Sequence, residues 1–310
     1  MRIRSLHHAS LVVTDLDKTQ RFAEDFGLKT VRKAGSRLYM RTDGGDAYSY
    51  VAEQGDERRF IGLGFTVESE ADLEEAVREH GGTPIVELDG PGGGRATTLT
   101  SPEGLKFELI YGIVEDQPKA PQPHLRLNAP GERSRFAAPQ SERPAGPATL
   151  FRLGHVGLYA KDFAANAEWL QNVMGMKLSD ALYAQSPDHA VVGFFRLDHG
   201  AEWVDHHTIF IGAMGMTGLH HLSFEVQDFE AQFRTHRYLQ DKGWDPNWGV
   251  GRHPLGSHVF DVWFDPDRFR FETFSDTDLL NDEHETGLHA IKEQDMDCWS
   301  SDPPDRYFAP

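Results

Sequence analysis

Leu6-His7-His8-Ala9-Ser10-Leu11-Val12-Val13-Thr14-Asp15 and Leu153-Gly154-His155-Val156-Gly157-Leu158-Tyr159-Ala160-Lys161-Asp162 are two copies of one pattern. In each, an apolar strand carries a histidine and an Asp follows seven residues later, placed to cap the next helix. The spacing predicts helices over Leu16–Phe26 and Phe163–Met174, stopped by Gly27 and Gly175. The match continues downstream. Phe65-Thr66-Val67 leads into a polar helix near Ala71–His80, and Phe224-Glu225-Val226 into one near Phe229–Asp241. Ser101-Pro102-Glu103-Gly104-Leu105-Lys106-Phe107-Glu108 and Asp265-Pro266-Asp267-Arg268-Phe269-Arg270-Phe271-Glu272 close the two halves, with Pro and Glu six residues apart in both. Each half therefore holds two strand–helix–strands units, and the halves repeat at domain scale. Alternating strands such as Arg270–Phe274 point to an α+β class with curved, mainly antiparallel sheets.

Between the halves, residues 114–149 hold seven of the seventeen prolines: Pro118, Pro121, Pro123, Pro130, Pro139, Pro144 and Pro147. Such a stretch is an extended spacer or wraps over the surface. The expected domains are thus 1–113 and 150–280, followed by an acidic tail over 281–310. That tail is either a solvated arm or a packed one, anchored by Trp299, Tyr307 and Phe308.

The chain has 310 residues, 39% hydrophobic and 26% charged, enough for two cores. Its net charge of −18 repels phosphate backbones and anionic membrane surfaces. No apolar run has the length of a membrane span, and nothing behind Met1 resembles a signal peptide. A single cysteine, Cys298, excludes internal disulfides and thiolate clusters, and it has no basic neighbour to activate it. A soluble cytoplasmic protein is the class these facts point to. Gly90–Arg95 lacks the helix and Lys-Ser/Thr pair of a phosphate loop and reads as a hairpin. Sixteen histidines against nine lysines point instead to metal binding or proton transfer.

Three residues carry the chemistry: His155, His221 in Leu219-His220-His221-Leu222, and Glu272 in Phe271-Glu272-Thr273-Phe274. They sit at equivalent points of the two strand–helix–strands units. A histidine on an apolar strand is usually a hydrogen-bonded core residue. A carboxylate between phenylalanines, however, is costly unless paired or metal-bound. Two imidazoles and a carboxylate suit non-haem Fe(II), with Mn(II) a second possibility. In the first half, His8 matches His155 and Glu108 matches Glu272, but Gly62 stands where His221 would be. One metal per chain is expected, in the second half, with His8 and Glu108 structural.

The duplicated halves with His155, His221 and Glu272 resemble the type I extradiol catechol dioxygenases of the vicinal oxygen chelate superfamily. The resemblance spans about residues 5–280 and is most specific in Asp205-His206-His207-Thr208, Leu219-His220-His221, Gly251-Arg252-His253 and Phe264-Asp265-Pro266 through Glu272. It implies tandem domains of paired βαβββ units. It also implies Fe(II)-dependent cleavage of a substituted catechol by O2 beside the diol, in a homo-oligomer. It places an acid–base histidine at His206, with His207 the competitor on the opposite face, and a substrate-side histidine at His253. Val262 departs from the pattern, because these enzymes usually carry a tyrosine there. Tyr159, Tyr183 and Tyr238 are the candidate replacements. Trp203, Trp244, Trp248, Phe260 and Trp263 are core or pocket rings. The valine motivates an alternative, a metal-dependent isomerase or lyase that leaves rings intact; a binding module that needs no iron is a third reading.

Overall fold

The computed structural model describes residues 1–121, 126–137, 146–299 and 303–308. The first half runs β1 (Ile3–Val13), α1 (Leu16–Phe26), β2 (Lys29–Ala34), β3 (Arg37–Arg41), β4 (Tyr50–Gln54), β5 (Arg59–Val67), α2 (Glu70–His80), β6 (Val86–Glu87), β7 (Arg95–Thr100) and β8 (Lys106–Tyr111). The second runs β9 (Leu150–Ala160), α3 (Phe163–Asn172), β10 (Lys177–Tyr183), β11 (Ala190–Arg196), β12 (Val204–Asp205), β13 (Ile209–Ala213), β14 (Gly218–Val226), α4 (Phe229–Lys242), β15 (Asp245–Arg252), β16 (Val259–Phe264) and β17 (Arg270–Ser275). The tail adds β18 (Leu279–Leu280), β19 (Gly287–Ala290) and α5 (Asp305–Phe308).

Helix boundaries follow local chemistry. Asp15 accepts from the Lys18 amide at 2.9 Å and Asp162 from the Ala165 amide at 3.0 Å, each capping its helix. The α1 helix ends at Gly27 with φ +123°, a conformation open to glycine; α3 stops at Val173, two residues short of Gly175. α2 begins at Glu70 and α4 runs on to Lys242, each within a residue of its expected limit.

Each half is one sheet. The first has the order β2-β3-β4-β1-β5-β8-β7-β6 and the second β15-β16-β17-β14-β9-β13-β11-β10-β19. The two central strands of each pair antiparallel, β1 with β5 and β9 with β14. Each flanking pair beside them is parallel, β1 with β4, β5 with β8, β9 with β13 and β14 with β17. The sheets are therefore mixed, with antiparallel pairing in the majority, as two tandem vicinal-oxygen-chelate domains require.

One apolar core spans both halves, from Phe22 and Phe26 of α1 to Phe224 and Phe271 of the second sheet. The Phe26 ring lies 5.9 Å from Phe224 and 5.6 Å from Phe271. The start of the proline-rich segment lies along the first half, where the Val114, Asp116 and Lys119 amides donate to Gly92, Gly45 and Asp43 carbonyls, and at its end the Ala148 amide donates to Thr235 Oγ1 of α4 at 2.7 Å. Pro123, Pro139 and Pro144 lie outside the described residues.

The tail packs on the second sheet. β19 adds to its edge parallel to β10, and Tyr307 is buried at 5% exposure. Of the three anchors expected there, Trp299 and Phe308 stay exposed at 53% and 38%.

Candidate metal centre and active-site cavity

Sheet register brings the three expected ligands together. Ser223 of β14 pairs with His155 of β9 on one side and with Glu272 of β17 on the other, so the three side chains share one face. His221 lies two residues before Ser223, on that same face. His155 Nε2 is 3.1 Å from Glu272 Oε1, and the ligating atoms of His155, His221 and Glu272 all lie within 4.8 Å of one another. The Ser223 hydroxyl donates to Glu272 Oε1 at 2.6 Å and orients the carboxylate.

The protonation states suit a cation. Burial drives His221 down to about 3, so its ring is neutral. Burial alone would raise Glu272, but the neighbouring His221 and the hydrogen bond from His155 outweigh it and keep the group a carboxylate. A neutral imidazole at His221 and an ionised carboxylate at Glu272 suit a divalent metal. The buried Nε2 of His221 has no hydrogen-bond partner, an unusual cost unless a ligand meets it. The donor set fits a metal. A second set, His155 with His207 and His258, shares one member but offers no negative charge.

His155, His221, His207 and His258 line a cavity of about 280 Å³, roughly twice the ~150 Å³ that holds a benzene molecule. Its walls are largely apolar, with Leu182, Val192, Phe194, Phe210, Met214 and Ile291 among them. The polar groups are few and are mostly imidazoles.

The alternation of His206 and His207 falls opposite to the family-based assignment. His207 lines the cavity, its ring 4.5 Å from that of His155. His206 turns away: its Nε2 meets Asp180 Oδ2 at 2.6 Å, while His289 holds the other oxygen of Asp180 at 2.7 Å. His206 therefore faces a carboxylate behind the wall, and the position near the metal centre belongs to His207. Burial and then the nearby His155 lower His207 well below the usual range.

His253 lies at the wall, stacked on Phe260 at 4.1 Å, with its Nδ1 against the Met296 carbonyl at 2.7 Å. His258 was not among the sequence candidates, yet its buried ring lies 5.1 Å from His155 and 4.9 Å from His253. Four residues with a turn at Gly256 separate it from His253, and only the folded turn reveals the pairing.

Val262 is fully buried and directly opposite Glu272 in the β16–β17 register. Of the three candidate replacement tyrosines, Tyr159 lines the cavity, whereas Tyr238 donates to Asp25 at 2.9 Å and Tyr183 is not among the lining residues. The tryptophans divide. Trp263 is core, Trp244 bonds Asp25, Trp203 is exposed, and Trp248 and Phe260 form a cluster with Val262 and Tyr307.

The first half preserves the frame without the function. His8 pairs with Gly64, and Gly64 with Glu108, just as His155, Ser223 and Glu272 pair. His8 Nε2 and Glu108 Oε2 are 3.7 Å apart, and Gly62 contributes no donor. Among the described residues His8 and Glu108 belong to no grouping able to hold a metal; the one such grouping in the first half, Glu75 with Glu79 and His80, lies on α2, away from this frame.

Duplicated strand–helix–strands sheets presenting two imidazoles and a carboxylate define a metal-dependent class of enzyme folds. The chain belongs to the Glyoxalase/Bleomycin resistance protein/Dioxygenase superfamily, whose family model matches residues 5–109 and 152–273. Metapyrocatechase 2 of Cupriavidus necator is 26% identical over 268 residues, covering 85% of this chain and 78% of that protein. The Mn(II)-bound glyoxalase from Novosphingobium aromaticivorans superposes with a TM-score of 0.81 at 22% identity, over 98% of this chain and 94% of that one. Homoprotocatechuate 2,3-dioxygenase from Brevibacterium fuscum gives a TM-score of 0.79 at 18% identity, over 99% and 92% of the two chains. Among the described residues, no helix is long and apolar enough to cross a membrane.

Proposed function

We propose that this protein is an Fe(II)-dependent extradiol dioxygenase, opening the ring of a substituted catechol beside its two hydroxyls with O2. The observation that carries the reading is the convergence of His155, His221 and Glu272, with the two imidazoles and His207 lining an apolar cavity. The relatedness to metapyrocatechase 2 supports it. His155, His221 and Glu272 would hold the metal, and Fe(II) bound there supplies the redox chemistry and the open positions that a chelating diol and O2 require. Mn(II) suits the same ligands.

The chain's own groups supply proton handling and shape. His207 has its Nδ1 engaged by His206 at 3.0 Å, which leaves Nε2 for the cavity. As a neutral imidazole it accepts the proton of a substrate hydroxyl and returns it when the ring opens. His253, donating from Nδ1 to Met296, offers Nε2 as an acceptor. Phe194 and Phe210 flank the ring and exclude water.

A second reading rests on Val262 and on the likeness to a Mn(II)-bound glyoxalase: a metal-dependent isomerase or lyase that leaves rings intact. An oxygen electrode separates the two. Fe(II)-loaded protein given a panel of substituted catechols should consume O2 and form yellow ring-opened products, and His155→Ala should abolish both. Metal binding with no O2 uptake across the panel would transfer the assignment to the second reading.

A further inference from the structure

The cavity has a wall that the repeated domain does not provide. Ile291, Gln294, Asp295, Met296, Tyr307 and Phe308 line it from the tail, beyond the last strand of the second sheet. This segment is pinned. The Asp297 carboxylate accepts from the Arg252 amide at 3.0 Å, and the Cys298 amide donates to the Arg252 carbonyl at 2.8 Å. The Arg306 carbonyl accepts from Asn247 at 3.2 Å and from Arg270 at 3.1 Å. Arg270 pairs in register with the ligand His221, so the tail is fastened to the metal-bearing strands themselves.

Tyr307 is the centre of this arrangement. Its ring lies 4.8 Å from His220 and 4.7 Å from Trp248, edge-on to both. Trp248, Val262 and Glu272 form one row across β15, β16 and β17, and Tyr307 packs in the cluster that covers the first two. Val262 brings no polar atom to that row. The phenol is thus set against the apolar part of the row that leads to Glu272. Burial, and next the Glu272 carboxylate, push its ionisation upward, so it stays protonated and able to donate.

We propose that Tyr307, delivered by the C-terminal segment, is the hydroxyl donor that contacts the bound aromatic substrate, and that residues 291–299 and 303–308 form the roof that holds it there. The proposal rests on the dioxygenase reading above, because it takes a catecholic ring as the group contacted. It assigns to the tail a binding role in place of a solvated arm.

The test uses the full-length, Fe(II)-loaded protein and 4-nitrocatechol, titrated without oxygen and followed by its visible band. Tyr307→Phe keeps the ring and its contacts with Trp248 and His220 and removes the hydroxyl alone. It should retain wild-type iron content, weaken 4-nitrocatechol binding about tenfold to a hundredfold, and shift the band of the bound ligand. A role in packing alone predicts neither change, so unaltered affinity with an unaltered band in this variant overturns the proposal. Failure of the wild-type, iron-loaded protein to bind the probe would instead bring down the dioxygenase reading, and the proposal with it.

Discussion

His206 and His207 are neighbours with opposite fates. They lie in the short connection between β12 and β13, and their rings turn to opposite sides of it. One ring reaches His155 and the other reaches Asp180. Replacing His207 with Ala should leave iron content unchanged and lower kcat by about a hundredfold to ten-thousandfold. His206→Ala should cost less, since that ring acts through its neighbour. Oxygen-uptake rates with metal analysis on both variants check this, and a larger loss in the His206 variant would reverse the assignment. The convergence of His155, His221 and Glu272 was legible in the sequence because each lies in a strongly apolar strand with a matching copy in the other half. The phase of His206 and His207 was not, because they fall between β12 and β13, where no alternation runs through them. Nothing nearby marked His258, which arrives from a turn, and Tyr307 was legible only as an anchor of the tail, not as part of the cavity wall.

At the scale of elements, the turn between β16 and β17 carries a testable electrostatic signature. Asp265 accepts the Asp267 amide at 2.9 Å and the Phe269 amide at 2.7 Å. Burial, against the pull of those amides, pushes its carboxyl up to about 8. Below about pH 4 the group is protonated in folded and unfolded chains alike. From there to about pH 8 the unfolded chain has released the proton and the folded one retains it. Stability therefore falls with rising pH, by about 1.4 kcal/mol per unit at most, and levels off above pH 8. Asp265→Asn keeps the acceptor oxygen and removes the titration, so its stability relative to wild type should improve between pH 5 and 8. Urea midpoints across that range provide the measurement, and parallel pH profiles would refute it. The helix caps and the Asp-Pro turns were readable from sequence, since their signals are local. The tail's addition at the β10 edge was not, because β19 is only four residues and pairs across more than a hundred.

For the molecule as a whole, the repeat was plain in the sequence, whereas the docking of the halves was not. One acidic side chain illustrates the difficulty. Asp25, exposed by pattern on α1, accepts from the Tyr238 hydroxyl at 2.9 Å and from Trp244 Nε1 at 3.0 Å on the other half. Asp25→Ala should cost about 1–3 kcal/mol in urea unfolding while leaving iron content intact; an unchanged midpoint would show that these bonds contribute nothing net. Gly62 has a wider consequence. A Cβ built there would come within 2.5 Å of the Lys106 carbonyl oxygen on the adjacent strand. Grafting histidine onto that position cannot by itself re-arm the silent copy, because backbone already fills the space. A matching three-donor set in the first half would require β8 to move outward, and the asymmetry between the twin halves is therefore held by main chain as well as by the choice of side chain.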